Sequence, residues 1–168
     1  MKERNLVELA RDGDRQAFAS LYETVYEDLY RFALFTMKSK EEAEDAVSES
    51  VIAAYEQIHK LRKAESFRSW IFQIVANQCK KRWRRQERFS KAEFAETAAE
   101  MVELEEHMDL WYSFSCLTEK ERLVLSLHVF GGYNSREIGK MLKMAPGTVR
   151  SLKSRAVVRM RNMLGGAI

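Results

Sequence analysis

Residues that interrupt helices are nearly absent from this chain. Its 168 residues include one proline, Pro146, and seven glycines. An all-β chain would need both residue types at its frequent turns, whereas helix interiors exclude proline and disfavour glycine. The sequence therefore predicts an all-α protein. Folded domains commonly hold about 100 to 150 residues and many are smaller, so length alone allows one domain or two.

Neither a membrane span nor an export signal is found in the sequence. No stretch of about 18 apolar residues is present, and the N-terminus lacks the basic, apolar and small-residue order of a secretory signal. The two cysteines, Cys79 and Cys116, lie far apart and fit neither a disulfide framework nor a metal pattern. We therefore expect a cytoplasmic protein without membrane insertion.

Charge is distributed unevenly, although the formal net charge is only +3. Residues 60–91 carry 11 basic and 2 acidic side chains, and residues 136–168 carry 8 and 1. Residues 92–109 carry 7 acids and no Lys or Arg, and residues 1–59 carry 13 acids against 7 bases. Two basic segments around an acidic one indicate two contacts with a polyanion. Ordinary solvated helix faces would also give this pattern.

Apolar residues recur every three or four positions in the first half of the chain, which predicts long helices over 14–38, 39–59 and 66–88. Ser39 and Glu42 have the spacing of a capping box at the start of the second helix. The expected core residues of the second helix are Ala43, Val47, Ser50, Ala54 and Ile58, and those of the third are Phe67, Trp70, Ile71 and Ile74. These helices predict one compact N-terminal domain.

Periodicity weakens over residues 86–106, where alanine and glutamate dominate. This segment is either a flexible tether or a marginal helix. We place the domain boundary here. The prediction is two small helical domains, 1–88 and 107–168, joined by an acidic linker at 89–106.

The second domain has the spacing of a helix-turn-helix. A short helix is predicted over 104–116. Start signals for three more helices follow: Thr118 with Glu121 in a capping box, then Asn134, then Pro146 in a first turn, where a missing N–H costs little. In such a motif the second helix of the pair enters the major groove of DNA with its N-terminal residues against base edges.

The last helix has two distinct faces in the predicted register. The residues spaced to face the core are Val149, Leu152, Ala156, Met160 and Met163. The opposite side presents Arg150, Ser151, Ser154 and Arg155, with Gly147 and Thr148 at its start. Arginine can donate two hydrogen bonds to guanine, small residues permit close approach, and Lys153, Arg159 and Arg161 suit phosphates. The alternative is a basic amphipathic helix that only packs in a bundle.

A family resemblance is carried by residues 117–164, which read LTEKERLVLSLHVFGGYNSREIGKMLKMAPGTVRSLKSRAVVRMRNML. This segment resembles the C-terminal domain of the sigma-70 family, and GTVRS followed by Arg155 and Ala156 looks like the −35 recognition helix of its extracytoplasmic-function group. The resemblance implies −35 contacts by Gly147, Thr148, Arg150, Ser151, Lys153, Ser154 and Arg155. Two departures are Lys143, where a turn glycine is common, and Ala145, where a capping Ser is common.

The first domain also resembles this family in two places. Residues 43–55 read AEDAVSESVIAAY and resemble the helix that docks on the clamp helices of the polymerase largest subunit. This match implies contacts by Asp45, Ser48 and Glu49, although the family commonly has Gln in place of Ser48. On physical grounds alone, acids on an amphipathic helix are usually only solvated. The resemblance further implies contact with the flap region of core RNA polymerase.

Residues 66–86 read SFRSWIFQIVANQCKKRWRRQ and resemble the segment that melts and holds the −10 element. Strand opening requires cations for the phosphates and surfaces for unstacked bases. The resemblance implies −10 contacts by Arg62, Lys63, Asn77, Lys80, Lys81, Trp83, Arg84 and Arg85; Arg82 adds charge to the same run. Spacing favours a core position for Trp70 and leaves Trp83 open between core and base stacking.

No catalytic pattern is present. The histidines His59, His107 and His128 form no metal-binding motif, and the glycines form no phosphate loop, so no metal or cofactor is implied. We predict a non-enzymatic bacterial alternative sigma factor that binds core RNA polymerase and promoter DNA. The resemblance implies a stress or envelope-related regulon and control by an anti-sigma factor. The alternatives are a free-standing helix-turn-helix regulator and a helical adaptor without a DNA role.

Overall fold

All regular structure in the described part of the chain is helical. The computed structural model describes residues 2–88 and 108–165. The first four helices are α1 (Glu3–Arg11), α2 (Arg15–Met37), α3 (Lys40–Gln57) and α4 (Phe67–Arg88). The next four are α5 (Met108–Ser115), α6 (Glu119–Val129), α7 (Ser135–Leu142) and α8 (Pro146–Met163). The predicted all-α fold is confirmed, and the predicted linker at 89–106 lies outside the described residues.

Side-chain caps fix the starts of α2 and α3. The Asp14 carboxylate accepts a hydrogen bond from the Ala17 N–H at 3.0 Å, and the Ser39 hydroxyl accepts one from the Glu42 N–H at 3.3 Å. Each acceptor satisfies a backbone donor that has no partner within the helix. Only half of the predicted Ser39 capping box forms, because the Glu42 carboxylate instead pairs with Arg82 of α4 at 2.7 Å.

Helix α1 was not predicted from the sequence. It is only nine residues long, and it buries Val7 and Ala10. It packs against α2 and against two short 3-10 turns, Ile58–Lys60 and Ala64–Ser66, which join α3 to α4. Helix α1 therefore supports the loop that carries Arg62 and Lys63.

Apolar side chains fill the interior of helices α1–α4 and that of helices α5–α8. The largest fully buried ones in α2 and α4 are Leu21, Leu29, Phe32, Phe67, Ile71 and Phe72, and those in α5–α8 are Phe114, Leu123, Leu127 and Ile138. Each such side chain contributes about 1.5–3 kcal/mol by leaving water. The predicted core residues of α3 are all buried, whereas Trp70 and Ile74 of α4 are only partly buried at the edge of the core. Met163 is 39% exposed, contrary to prediction, because it is the final residue of α8.

The core continues from α2 into the C-terminal helices. The Phe35 ring centre lies 4.8 Å from that of Phe130, 5.1 Å from Phe114 and 5.4 Å from Trp111. Aromatic pairs at these distances add about 0.5–1.5 kcal/mol each beyond burial. Helices α5 and α6 therefore pack on α2 through an apolar junction, and α7 reaches α4 beside it.

Arg122 of α6 lies in this junction with its side chain buried. Its Nε donates to the Thr36 carbonyl at 2.8 Å, and a terminal nitrogen donates to the Leu117 carbonyl at 2.9 Å. Its guanidinium carbon is 5.7 Å from the centre of the Trp83 ring. Burial lowers the pKa of Arg122 to about 10, while the charge of Glu119 acts in the opposite direction. The guanidinium therefore remains protonated at neutral pH and links α6 to both α2 and α4.

Candidate nucleic-acid interface

Helices α7 and α8 form the predicted helix-turn-helix. The Asn134 side chain accepts from the Glu137 N–H at 2.9 Å, and the Glu137 carboxylate accepts from the Asn134 N–H at 2.8 Å. The predicted cap at Asn134 is thus confirmed. Helix α7 ends at Leu142, and Lys143 follows as its C-cap with a φ of 56°, the left-handed geometry that usually selects glycine. Ala145 precedes α8 without a side-chain cap, and Pro146 is its first residue.

A close backbone approach holds the turn between these two helices. The Met144 N–H donates to the Gly139 carbonyl at 2.8 Å. A Cβ atom at position 139 would lie 2.7 Å from the Met144 carbonyl oxygen. Real Cβ atoms do not approach a backbone oxygen so closely, so the turn requires Gly139. This requirement is not evident from the sequence, since a single glycine inside a helical pattern is a weak signal.

Helix α8 buries one side and exposes the other. Its buried residues are Val149, Leu152, Ala156 and Met160. Gly147 and Thr148 are exposed at its first turn, and Lys153 is partly buried. Four exposed residues line one shallow surface depression: Arg150, Ser151, Ser154 and Arg155. The predicted −35 residues therefore lie together at the start of α8 on an open, basic face.

The basic run of α4 has an outward face. Lys81, Arg84 and Arg85 are exposed, as is Asn77 one turn earlier. Lys80 is partly buried, and burial together with the charges of Arg84 and Lys143 lowers its pKa. Several cations thus lie close together, which is a favourable place for phosphate groups. The loop residues Arg62 and Lys63 are also exposed.

Two residues of the same run face the protein interior. Trp83 is 7% exposed, and its ring lies against Arg122. In this arrangement its indole ring is covered. The Arg82 side chain is 10% exposed and donates one hydrogen bond to Glu42 and another to Glu49, each at 2.7 Å. Arg82 therefore binds α3 and contributes little to the exposed basic face.

Helix α3 carries the predicted polymerase-binding residues on one side. Asp45 and Ser48 are exposed, and Glu49 is half-buried beside Arg82. Ile52 follows Ser48 by one turn and is 60% exposed. Positions 45, 48, 49 and 52 share one face of a helix because residues three, four and seven apart are neighbours. Ile52 was not singled out in the sequence, although this spacing would have placed it beside the acids.

Comparison with known proteins assigns both halves of the chain. The model of Sigma-70 region 2 matches residues 21–89, and that of Sigma-70 region 4 matches residues 114–162. The ECF RNA polymerase sigma factor SigM of Mycobacterium tuberculosis is 28% identical over 156 residues, covering 91% of this chain and 80% of SigM. SigW of Bacillus subtilis is 24% identical over 176 residues, covering 94% of each chain.

Two solved structures have the same fold. One is CnrH in complex with the cytosolic domain of CnrY, with a TM-score of 0.75, 21% identity and 99% coverage of both chains. The other is RpoE from Bartonella quintana in complex with the anti-sigma factor NepR, with a TM-score of 0.75, 19% identity and coverage of 90% of this chain and 98% of RpoE.

The fold and its surfaces define a helical DNA-binding protein with a C-terminal helix-turn-helix. The chain belongs to the sigma-70 family, in its extracytoplasmic-function (ECF) group. It is an alternative sigma factor, a transcription initiation factor without catalytic activity of its own. Within residues 2–88 and 108–165, no helix is both long and apolar enough to span a lipid bilayer.

Proposed function

We propose that three helices of this sigma factor each contact a different target. Helix α8 reads the −35 element, the outward face of α4 with the Arg62–Lys63 loop holds the −10 element, and α3 binds core RNA polymerase. The observation that carries the proposal is the exposed face of α8, where two arginines and two serines lie opposite a buried apolar stripe. We place the division between the two functional domains within 89–106, with the protein acting in the cytoplasm.

The −35 role follows from the chemistry of the α8 face. Arg150 and Arg155 each present a planar fork that can donate two hydrogen bonds to guanine O6 and N7. Gly147, Thr148, Ser151 and Ser154 are small enough to let the helix lie deep in the major groove. Lys153 is placed for phosphates, which fix the register but carry no sequence information.

The −10 role rests on the exposed cations of α4. Lys81, Arg84 and Arg85 attract the phosphates of a separated strand, and Asn77 offers hydrogen bonds to a base. A stacking role for Trp83 requires an additional step, because the Arg122 guanidinium must first leave its ring. Separation of α6 from α4 would expose the indole where a base could stack.

The polymerase role rests on the α3 face. Asp45 and Glu49 provide negative charge, Ser48 a small polar contact, and Ile52 an exposed apolar one. This combination fits a basic surface with an apolar centre, such as the clamp helices of the largest polymerase subunit implied by the family. The C-terminal domain would contact the flap region in the same complex.

An anti-sigma factor is the further partner that we propose. The RpoE structure with the same fold was solved with its anti-sigma factor NepR. A partner purified from the host should abolish transcription directed by this chain when the two proteins are mixed in equal molar amounts. A partner that binds without reducing transcription would contradict this role.

Sequencing of transcript 5′ ends tests the proposed function. The purified chain is mixed with bacterial core RNA polymerase and fragmented genomic DNA from its source. New start sites that share two spaced upstream elements, absent without the chain, are expected. If none appear while a control sigma factor works on the same core enzyme, the three surfaces are wrongly assigned.

A further inference from the structure

Arg82 connects the two functional helices of the N-terminal half. It belongs to α4, within the basic run, yet its guanidinium points toward α3. Its two terminal nitrogens donate separately, one to Glu42 and one to Glu49, at 2.7 Å each. Asp45 lies between these acids, with its carboxylate 3.8 Å from the same guanidinium. One cation therefore holds three carboxylates on one face of α3.

The geometry of Arg82 and its three acidic partners favours fixed side-chain positions over mobile ones. Burial alone would lower the pKa of Arg82, but the hydrogen bond to Glu42 and the charges of Glu42, Glu49 and Asp45 raise it above the usual value. A planar guanidinium that spans two carboxylates also restricts their rotamers, which a point charge does not. Glu49 and Asp45 keep substantial exposed surface, so their remaining oxygens can still accept hydrogen bonds from a partner.

We propose that Arg82 is a positioning residue for core RNA polymerase binding, acting through Glu49 and Asp45. The inference rests on the proposed role of α3. Without Arg82, three acids within one helical face repel one another and their side chains rotate into solvent. With Arg82, the two outward acids are held in one geometry before polymerase arrives. Ordering these side chains in advance reduces the entropy lost on binding.

The same contact links polymerase binding to the −10 surface. Lys81 precedes Arg82 on α4 and is exposed, whereas Arg82 is fixed on α3. Arg82 thereby adds a polar contact with the polymerase-binding face to the apolar packing of Phe67, Ile71 and Phe72, which already fixes the rotation of α4. The outward cations of α4 therefore keep a defined direction relative to the docked enzyme.

Affinity for core polymerase, measured with a labelled chain, tests this inference. Arg82→Gln should weaken binding about tenfold, a value within the range of coupled ion-pair residues, and Arg82→Lys should recover only part of the loss. Arg31→Gln removes a charge from an exposed position on α2 and should leave affinity unchanged. Raising the core polymerase concentration should restore full transcript from Arg82→Gln, since the defect is in binding. Circular dichroism confirms that each variant is folded at the assay temperature.

A double-mutant cycle distinguishes positioning from a general structural effect. In a chain with Asp45→Asn and Glu49→Gln, Arg82 keeps its Glu42 partner, and Arg82→Gln should have little further effect on polymerase affinity. An equal loss in both backgrounds, or tighter binding by Arg82→Gln, would overturn the positioning role of Arg82 and leave the polymerase-binding role of α3 intact. If Asp45→Asn with Glu49→Gln leaves affinity unchanged, the α3 surface itself is wrong and the inference falls with it.

Discussion

The two basic helices, α4 and α8, use their cations differently. In α8 the arginines at 150 and 155 lie on either side of the buried Leu152, and both are exposed. In α4 five cations occur within residues 80–85, a segment longer than one turn of 3.6 residues. Trp83 interrupts this run, and at about 100° per residue the five cations span about 200° around the helix, so the cation at one end of this arc faces inward. That cation is Arg82, and burial requires it to be paired.

The features of α8 and α4 also differ in how far they were predictable from the sequence. Capping residues and helical spacing act over a few positions, so the caps at Ser39, Thr118 and Asn134 and the exposed face of α8 were identified correctly. The partners of Arg82 lie 40 and 33 residues away on α3. No local pattern connects residues at that separation, so the sequence assigned Arg82 to the DNA-facing charge.

The junction between α2 and the C-terminal helices was not predictable for the same reason. Phe35 lies near the end of a long, apolar-rich helix, where a large apolar residue suggests a core within its own domain. Its actual neighbours, Trp111, Phe114 and Phe130, lie on the other side of the predicted linker. Sequence spacing gives the buried face of a helix but not the element that covers it.

Removing the Phe35 ring should produce the largest loss of stability, because it removes the aromatic contact between α2 and the C-terminal helices. Phe35→Ala should lower the free energy of unfolding by about 3–5 kcal/mol, through lost burial and a cavity among three rings. Urea unfolding followed by circular dichroism measures this value. Tyr26→Ala, at an exposed aromatic position on the same helix, should cost far less. Similar losses for both variants would contradict the shared core.

Loss of the Arg150 guanidinium should affect recognition of the −35 element by α8. Arg150→Ala should reduce discrimination between the preferred −35 sequence and single-base variants by about 1–3 kcal/mol, the value of one bidentate base contact. Core polymerase affinity should not change. Arg161→Ala, on the last turn of α8, should instead weaken all promoter sequences equally, since its position suits phosphate. Loss of polymerase affinity in Arg150→Ala with unchanged −35 discrimination would remove this residue from the DNA interface.

Neutralising two outward cations of α4 should change the salt dependence of promoter binding. Lys81→Gln with Arg85→Gln should reduce the slope of log K against log salt by about 1.4, if each cation contacts one phosphate of a single strand. Competition assays at several salt concentrations give this slope. Arg31→Gln with Lys40→Gln makes the same change of charge at exposed positions on α2 and α3 and should leave the slope as it was. Equal slopes for the wild-type chain and the α4 variant would exclude these cations from phosphate contact.

A smaller stabilising effect is expected at the start of α8. Ala145 provides no side-chain cap, and Ala145→Ser would supply a hydroxyl that can accept from the first turn of the helix. The free energy of unfolding should rise by about 1 kcal/mol. Thermal unfolding measures the gain. Discrimination among −35 sequences should remain the same, and a changed preference would mean that residue 145 itself contacts bases.

Site-specific photocrosslinking reports which promoter element each of the two basic helices contacts. A photoreactive amino acid is placed at Ser151 of α8 in one preparation and at Asn77 of α4 in another, and each chain is assembled with core polymerase on one promoter. We expect position 151 to crosslink to the −35 element and position 77 to the −10 element downstream. Crosslinks from both positions to the same element, or none from position 151 to the −35 element, would contradict this expectation.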